Sequence, residues 1–481
     1  MRSPFPCGRT SRRGFLSGLG MGFANLAAGD LLARELGSTP QVPLALARAK
    51  KVIWVFLSGG VSQLESFDPK PALNTHAGKT FNETPFPDPH KSPVFLERSR
   101  SVLDHDRIFF PKIFPLQVGF KKRGQSGIEV SDWFPELGSC VDDMAVVRSM
   151  YTTDNDHAAE FQMHTGRHAL DEKQPCLGSW IHYGLGSLNA NLPAFIFLGQ
   201  FKDPRVRRNI FPDYLGAEHS AVELEPGLPL AFGVAPKDLT PQRQAKQFDL
   251  IKEFHQAAQK ENPLDPRIEA RLKSYELAFR MQTAVPGALD LSKETEETQR
   301  LYGIDNPTTA VYGRRLLAAR RLAEQGVRYN LVYLSDYGEW DSHNNLKENH
   351  GRSCARVDKP LAGLLRDLKR RGMFDDTLVV WCTEFGRTPG LEAREKNANP
   401  TGRDHHPHGF TVWLAGAGIK GGVVHGATDE LGFHAVEHPH YVTDLHATVL
   451  HLLGLDSRKL NIPGRKRLEV DYGKVMSQIL A

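Results

Sequence analysis

Twice in the second half of this chain an amphipathic helix stops at a glycine and leads into an apolar strand. Ala310 to Gln325 ends at Gly326, and Tyr329-Asn-Leu-Val-Tyr-Leu334 follows. Arg356 to Arg371 ends at Gly372, and Thr377-Leu-Val-Val-Trp-Cys382 follows. Glycine suits the position just past a helix because it enters the left-handed region without a Cβ penalty. Strands written as near-continuous hydrophobic runs are buried on both faces, which is the situation in a parallel sheet covered by crossover helices. A chain with this order folds as α/β, with a parallel sheet and helices packed over it.

The remaining elements fit the same plan. Lys51-Val-Ile-Trp-Val-Phe-Leu57 is a buried strand that stops at Ser58-Gly59-Gly60. Further strands are expected at Asp142–Ser149, Ala194–Leu198 and Thr411–Ala415, with a closing helix over His440–Leu453. Residues 240–282 read as two helices separated by Pro263 and Pro266, and residues 69–130 as an irregular excursion. With 481 residues, 40% hydrophobic and 24% charged, the chain is long enough for one large core, and no internal repeat divides it.

The N-terminus stands apart. Residues 1–50 hold seven Lys or Arg against two Asp or Glu, while the whole chain carries only +4, so the remainder is close to neutral. The basic excess therefore does not indicate nucleic-acid binding. Ser11-Arg-Arg-Gly-Phe-Leu16 and the Gly/Ala-rich apolar stretch behind it have the layout of a twin-arginine export signal. The stretch is too short and glycine-rich for a membrane span. We expect residues 1–47 to be a signal, cleaved after Ala28 or near Ala45–Ala47, and residues 48–481 to form one exported domain, periplasmic or extracellular. Four cysteines would remain (Cys140, Cys176, Cys354 and Cys382) with no CxxC pair among them.

Ligands of open α/β sheets bind in the loops beyond the carboxyl ends of the strands. Four such loops carry polar residues. The first holds Ser58, Ser62, Glu65 and Asp68; the second, SDYGEWDSH, holds Asp336, Glu339, Asp341 and His343. The third is Thr383-Glu384-Phe385-Gly386-Arg387, and the fourth is Gly402-Arg-Asp-His-His-Pro-His-Gly-Phe410. Carboxylates and imidazoles brought from separate strand ends to one point are what a divalent metal site requires. Nine of the twenty histidines fall between His405 and His451. We take the Asp404–His408 cluster as functional, and His434, His438, His440, His446 and His451 as structural or solvent-facing. Trp340 and Trp413 offer, in addition, surfaces on which a sugar would stack.

With these residues laid out, Val357–Pro389 resembles the sulfatase and alkaline-phosphatase-like superfamily. Asp358, Gly363, Leu368, Asp376-Thr377-Leu378-Val379 and Glu384 occupy that superfamily's pattern. Leu414–Gly422, Asp444–Asp456 and His164-Thr165-Gly166-Arg167 are similar to it as well. The closer resemblance is to the exported domain-of-unknown-function 1501 family. It lies in SGGVSQLESFDPKP, LAARRLAEQGVRY, Trp340-Asp341-Ser342-His343, EFGRTP and GRDHHPHGF, and extends over residues 50–475.

The resemblance implies a three-layer α/β sandwich with a largely parallel sheet and helices on both faces. It also implies one or more divalent metals (Zn, Ca, Mg or Mn). Glu339 and His343 have the spacing of an Asp-x-x-x-His ligand pair, with Asp341 between them. Glu384 falls where a second carboxylate ligand stands, and His405, His406 or His408, next to Asp404, would supply the late ligand. The implied activity is hydrolysis of a phosphate or sulfate ester, on a small molecule or a glycan, with Arg387 and Arg403 gripping the anion.

The sequence departs from the superfamily at three places. Ser58-Gly59-Gly60 replaces the first-strand acid, Phe385 stands at a ligand position, and the formylglycine Cys/Ser-x-Pro-x-Arg sequence is missing. Asp156, followed by His157, stands where that nucleophile would be; Thr152, Thr153 or Asp156 could serve only if a metal or base activated it, and otherwise a metal-bound hydroxide would attack. The alternative is a non-catalytic binding or scaffold protein on the same fold.

Overall fold

The computed structural model describes residues 47–98, 112–200, 207, 209–227, 240–261, 267–392, 401–462 and 464–481. The expected export signal, residues 1–47, lies outside the described residues except for Ala47. Nine strands form the main sheet. They are β1 (Lys51–Phe56), β2 (Met144–Tyr151), β3 (Phe195–Leu198), β4 (Val222–Leu224), β5 (Tyr329–Tyr333), β6 (Thr377–Cys382), β7 (Phe410–Ala415), β8 (Val423–His425) and β9 (His440–Tyr441). Their order is β8-β2-β7-β6-β1-β5-β3-β4, with β9 also paired to β2.

The pairs around β1 are parallel, with Val55 opposite Val332 of β5 and Trp381 of β6. Strand β7 is antiparallel to both its neighbours, β2 and β6. The sheet is thus mostly parallel with one reversed strand. The reversal brings the start of β7, and not its end, to the edge where β1, β5 and β6 finish.

Side chains of a strand alternate between faces, and β1 separates two cores in this way. Ile53 and Val55 join a cluster with Leu316, Leu361 and Leu365, under helices Ala310–Glu324 and Leu346–Arg370. Val52, Trp54 and Phe56 join another with Leu177, Ile181, Leu445 and Val449, under helices Leu177–Leu185 and Val442–Leu452. Helices on both faces of one sheet make the three-layer arrangement expected from the sequence.

Several expectations are corrected. The helix expected from Arg356 begins ten residues earlier, at Leu346. Its buried stripe in that first part includes His350 and Ser353 beside Cys354, so hydropathy hides it. The 69–130 stretch is less irregular than expected: it holds short helices Pro71–Thr75 and Pro93–Arg98 and an antiparallel pair, Phe120–Arg123 with Ile128–Ser131. His440 belongs to a strand and not to the closing helix, which starts at Val442. Trp340 and Trp413 are buried in the core, so neither offers a stacking surface. The four cysteines named above are buried and free. No helix among the described residues is long and apolar enough to cross a membrane.

Two core histidines make the fold sensitive to acid. His164 packs on Phe56 with ring centroids 4.7 Å apart, and His446 donates from Nε2 to the Met163 carbonyl over 2.7 Å. Burial, with their mutual repulsion, pushes His164 down to about 3, and burial takes His446 down to about 4. Both folded values lie below that of an unfolded histidine, so the unfolded chain binds more protons in acid. The stability they contribute is complete above about pH 6.5 and is lost as pH falls toward 4, at roughly 1.4 kcal/mol per pH unit for each. Thermal melts between pH 7.5 and 5 are expected to show a falling midpoint, with a shallower fall in His446→Gln.

Candidate metal centre

The carboxyl ends of β1, β5 and β6 present their loops at one edge of the sheet, and the reversed β7 delivers its leading segment there. Gly386–Arg387 and His405–His406 pair as a short antiparallel ladder, with His405 opposite Arg387. This ladder joins the loop after β6 to the segment before β7. The loop after β2 adds His157, just ahead of the helix Ala159–Thr165.

Asp341 is the hub. Its Oδ1 lies 2.8 Å from Arg387 Nη2, 3.0 Å from His343 Nε2 and 3.2 Å from His405 Nε2. Its Oδ2 lies 3.2 Å from His157 Nε2. The second nitrogen of each imidazole is also engaged: His157 Nδ1 with Glu384 Oε1 at 3.2 Å, His343 Nδ1 with Glu392 Oε2 at 2.5 Å, and His405 Nδ1 with the Asn155 carbonyl at 3.1 Å. Asp404 accepts the His405 backbone N–H over 2.8 Å and lies 3.5 Å from His343 Nδ1. Glu384, fully buried, accepts the Gly59 backbone N–H over 2.7 Å. Gly59 has φ +117°, and a Cβ there would meet the Trp340 nitrogen at 2.5 Å, so the close approach of the loops after β1 and β5 requires glycine.

Charge at the hub follows from these contacts. Burial opposes ionisation of Asp341, but Arg387 and the three imidazoles outweigh it and hold the carboxyl well below the usual range. Burial also opposes a charge on His157, yet hydrogen bonds to Asp341 and Glu384 raise it to about 10. His405 is lowered by burial, only partly offset by Asp341. Without a metal, the centre is a half-buried carboxylate ringed by imidazoles, with a proton on His157 where a cation would find a ligand.

The donor set fits a divalent ion. His157, Asp341 and His405 place one ligand atom each within 4.8 Å of one another, and so do His343, Asp404 and His405. The nitrogen that His405 turns to Asp341 is Nε2, and its tautomer is set by a backbone carbonyl at Nδ1, the usual support of a metal-bound histidine. Mixed imidazole and carboxylate donors suit Zn²⁺ or a similar ion.

A model of the family "Protein of unknown function (DUF1501)" matches residues 49–480. The chain belongs to that family. No curated protein matches it by sequence. Among solved structures, a phosphonate monoester hydrolase from Silicibacter pomeroyi is similar at 14% identity and TM-score 0.35, over 72% of this chain and 71% of that one. The lipoteichoic acid synthase LtaP from Listeria monocytogenes is similar at 8% identity and TM-score 0.39, over 93% and 82%. A sulfatase from Pseudoalteromonas sp. is similar at 13% identity and TM-score 0.37, over 96% and 76%. Likeness this distant leaves the functional reading of the DUF1501 chain to the geometry of its own centre.

Not every residue singled out in the sequence reaches that centre. Glu339 turns away to Tyr312 and Arg356. His406 bonds the Phe433 carbonyl at 2.5 Å, and His408 stacks on the Phe433 ring at 5.9 Å, so both leave the hub to His405. Neighbours along a strand point to opposite sides, which explains why His405 and His406 part. Arg403 is fully buried on Glu65, at 2.7 Å.

Arg387 does touch Asp341, but its other N–H groups donate to the Gly59, Gly60, Trp340 and Arg403 carbonyls, so its fork is not open to an ester. Thr153 Oγ1 accepts from Gln162 over 2.8 Å, Thr152 is buried and Asp156 is exposed. Phe385, at a position where the resemblance implied a ligand, is a wall beside His405 with ring centroids 4.5 Å apart.

Two carboxylates of this DUF1501 chain escaped the sequence reading. Glu392 holds His343, and Glu160 lies behind Glu384, bonded to Ser58 and to Asn209 at 3.1 Å. Burial and the nearby Glu384 push the Glu160 carboxyl well above the usual range. The signal for Glu160 was present: an acid three residues after His157, on the buried side of a helix start.

Proposed function

We propose that this protein is a divalent-metal-dependent hydrolase of phosphate or sulfate esters, acting outside the cytoplasm after export through the twin-arginine route. The observation that carries the reading is the convergence of His157, His343 and His405 on Asp341, from three separate loops at the carboxyl edge of the sheet. His405, shared by both ligand groups, would hold the ion together with Asp341 and His157 on one side or His343 and Asp404 on the other. A bound divalent ion supplies Lewis acidity toward an ester oxygen and acidifies water. Arg387 and the imidazoles keep Asp341 ionised and oriented, Glu384 and Glu392 hold His157 and His343, and Phe385 closes one side to water. Thr153 and Asp156 are set aside as nucleophiles, the first by its bond to Gln162 and the second by its exposure. Water is the attacking group in this reading.

The test is elemental analysis of the purified chain, followed by assay of aryl phosphate, phosphate diester, phosphonate and sulfate esters. One or two equivalents of metal that Asp341→Asn loses are expected, with hydrolysis of at least one ester class that stops on chelation and returns with metal. A folded protein that takes up no metal after its addition would overturn the reading. A second reading, a metal-binding or scaffold protein without hydrolase activity, draws on the engagement of both arginines, which leaves neither guanidinium fork open to an anion. Metal without hydrolysis of any of the four ester classes would favour it. Export is tested separately: Arg12→Lys/Arg13→Lys is expected to retain the precursor in the cytoplasm, whereas the parent chain is recovered outside it with residues 1–47 removed and 48–481 intact.

A further inference from the structure

Strands β8 and β9 lie end to end along the same edge of β2, both parallel to it, with His425 opposite Val147 and His440 opposite Met150. Their side chains meet between the strand ends, and the two Nε2 atoms are 2.9 Å apart. His440 Nδ1 lies 2.9 Å from Asp444 Oδ2, one helical turn further on, and Asp444 Oδ1 accepts the Lys474 backbone N–H over 2.7 Å. That carboxylate accepts the His440 Nδ1–H and so leaves the Nε2 lone pair directed at His425. Two lone pairs cannot face each other at this distance, so a proton, or a cation in its place, must sit between the two nitrogens.

A third imidazole stands over the pair. His438 is exposed and its ring is stacked on that of His425, at 5.2 Å and 17°. Its backbone is in the left-handed region, φ +46°, where a residue with a side chain needs outside support. Ser149 of β2 supplies it by donating to the His438 carbonyl over 2.7 Å. A conformation held in this way brings a solvent-accessible histidine beside two converging ones.

We propose that His425, His438 and His440 form a second metal site, separate from the Asp341 centre, for a borderline divalent ion of the Zn²⁺ class. His425 and His440 bind through Nε2, and His438 swings from its stack to become the third ligand. Two nitrogens on a tetrahedral Zn²⁺ lie about 3.3 Å apart, given Zn–N bonds of about 2.0–2.1 Å, so the observed spacing needs only a small opening. The ion takes the place of the proton shared by the pair, and that proton passes to His425 Nδ1, so that both Nε2 atoms bind as neutral imidazoles. Asp444 acts as the carboxylate that orients a metal-bound histidine. His425 is 7% exposed while His438 is open, so the ion enters from solvent without unfolding the edge of the sheet. The site does not depend on the ester-hydrolase reading.

The experiment is a titration of the full chain with Co²⁺ alone, following visible absorption and counting bound ions after desalting. The expected result is that His440→Gln binds one Co²⁺ fewer than the parent, whatever the count at Asp341, and that Asp444→Asn weakens this ion about 10–100-fold. His438→Ala, a change at an exposed residue, is expected to weaken it at least ~10-fold. Equal Co²⁺ counts in the parent and His440→Gln overturn the proposal. If His440→Gln does not fold, an unchanged Co²⁺ affinity in His438→Ala overturns it.

Discussion

Asp341→Asn is expected to remove the metal from the centre and to lower ester hydrolysis by about 10³-fold or more, the equivalent of several kcal/mol of transition-state stabilisation. Among the described residues, this carboxylate is the one group that touches His157, His343, His405 and Arg387 together. An asparagine keeps the shape but offers one acceptor and an N–H₂ that faces donors. The imidazoles then lose their common anion, and the Arg387 charge is left buried beside them without its carboxylate. Metal content and kcat/KM measured on the same preparation decide the matter. Full metal with normal turnover in the variant would remove Asp341 from the centre, and with it the reading on which the hydrolase rests. Lost metal with unchanged turnover would show that the ion is structural.

Arg403→Met is expected to lower stability by about 3–5 kcal/mol, the cost of breaking a buried pair by removing one partner. Arg403 and Glu65 are both fully buried. The guanidinium gives Nε and Nη2 to Glu65, Nη1 to the Thr388 and Pro389 carbonyls at 3.2 and 2.9 Å, and Nη2 also to the Phe114 and Pro115 carbonyls at 3.1 and 3.0 Å. Methionine fills much of the volume but leaves one carboxylate and four carbonyls without these donors. The double variant Arg403→Met/Glu65→Leu removes the stranded charge and should recover part of the loss, which a denaturation midpoint will show. If Arg403 instead bound an anionic ester, Arg403→Met would raise KM and leave the midpoint unchanged.

The layering of the fold was legible because its cause is local. Helix periodicity, a glycine stop and an unbroken apolar strand recur at Gly326 and Gly372, and strand Thr377–Cys382 has the same limits in sequence and structure. Elements whose buried faces are polar were not legible. The first ten residues of helix Leu346–Arg370 bury His350 and Ser353, and strands β8 and β9 are three and two residues long. Too few residues lie in such strands to form a pattern; their place comes from the edge of β2 that they cover.

For the site, the sequence alone determined which loops matter, since loops at strand ends are set by strand positions and the residues able to hold a metal are rare. It also yielded Asp341, His343, Glu384, Asp404 and His405, which meet at one hub. What it could not determine is the direction of each side chain. His405 and His406 differ by one residue and face opposite sides of a two-residue ladder, and Glu339 and Asp341 differ by two on a turn. Only the tertiary structure decided these, through the reversed strand β7 and the packing of Phe385 and Phe433. It likewise made Arg403 a structural ion, because a guanidinium surrounded by a carboxylate and four carbonyls has no N–H left for a ligand. Local chemistry selects the candidates, and long-range packing decides which of them face one another.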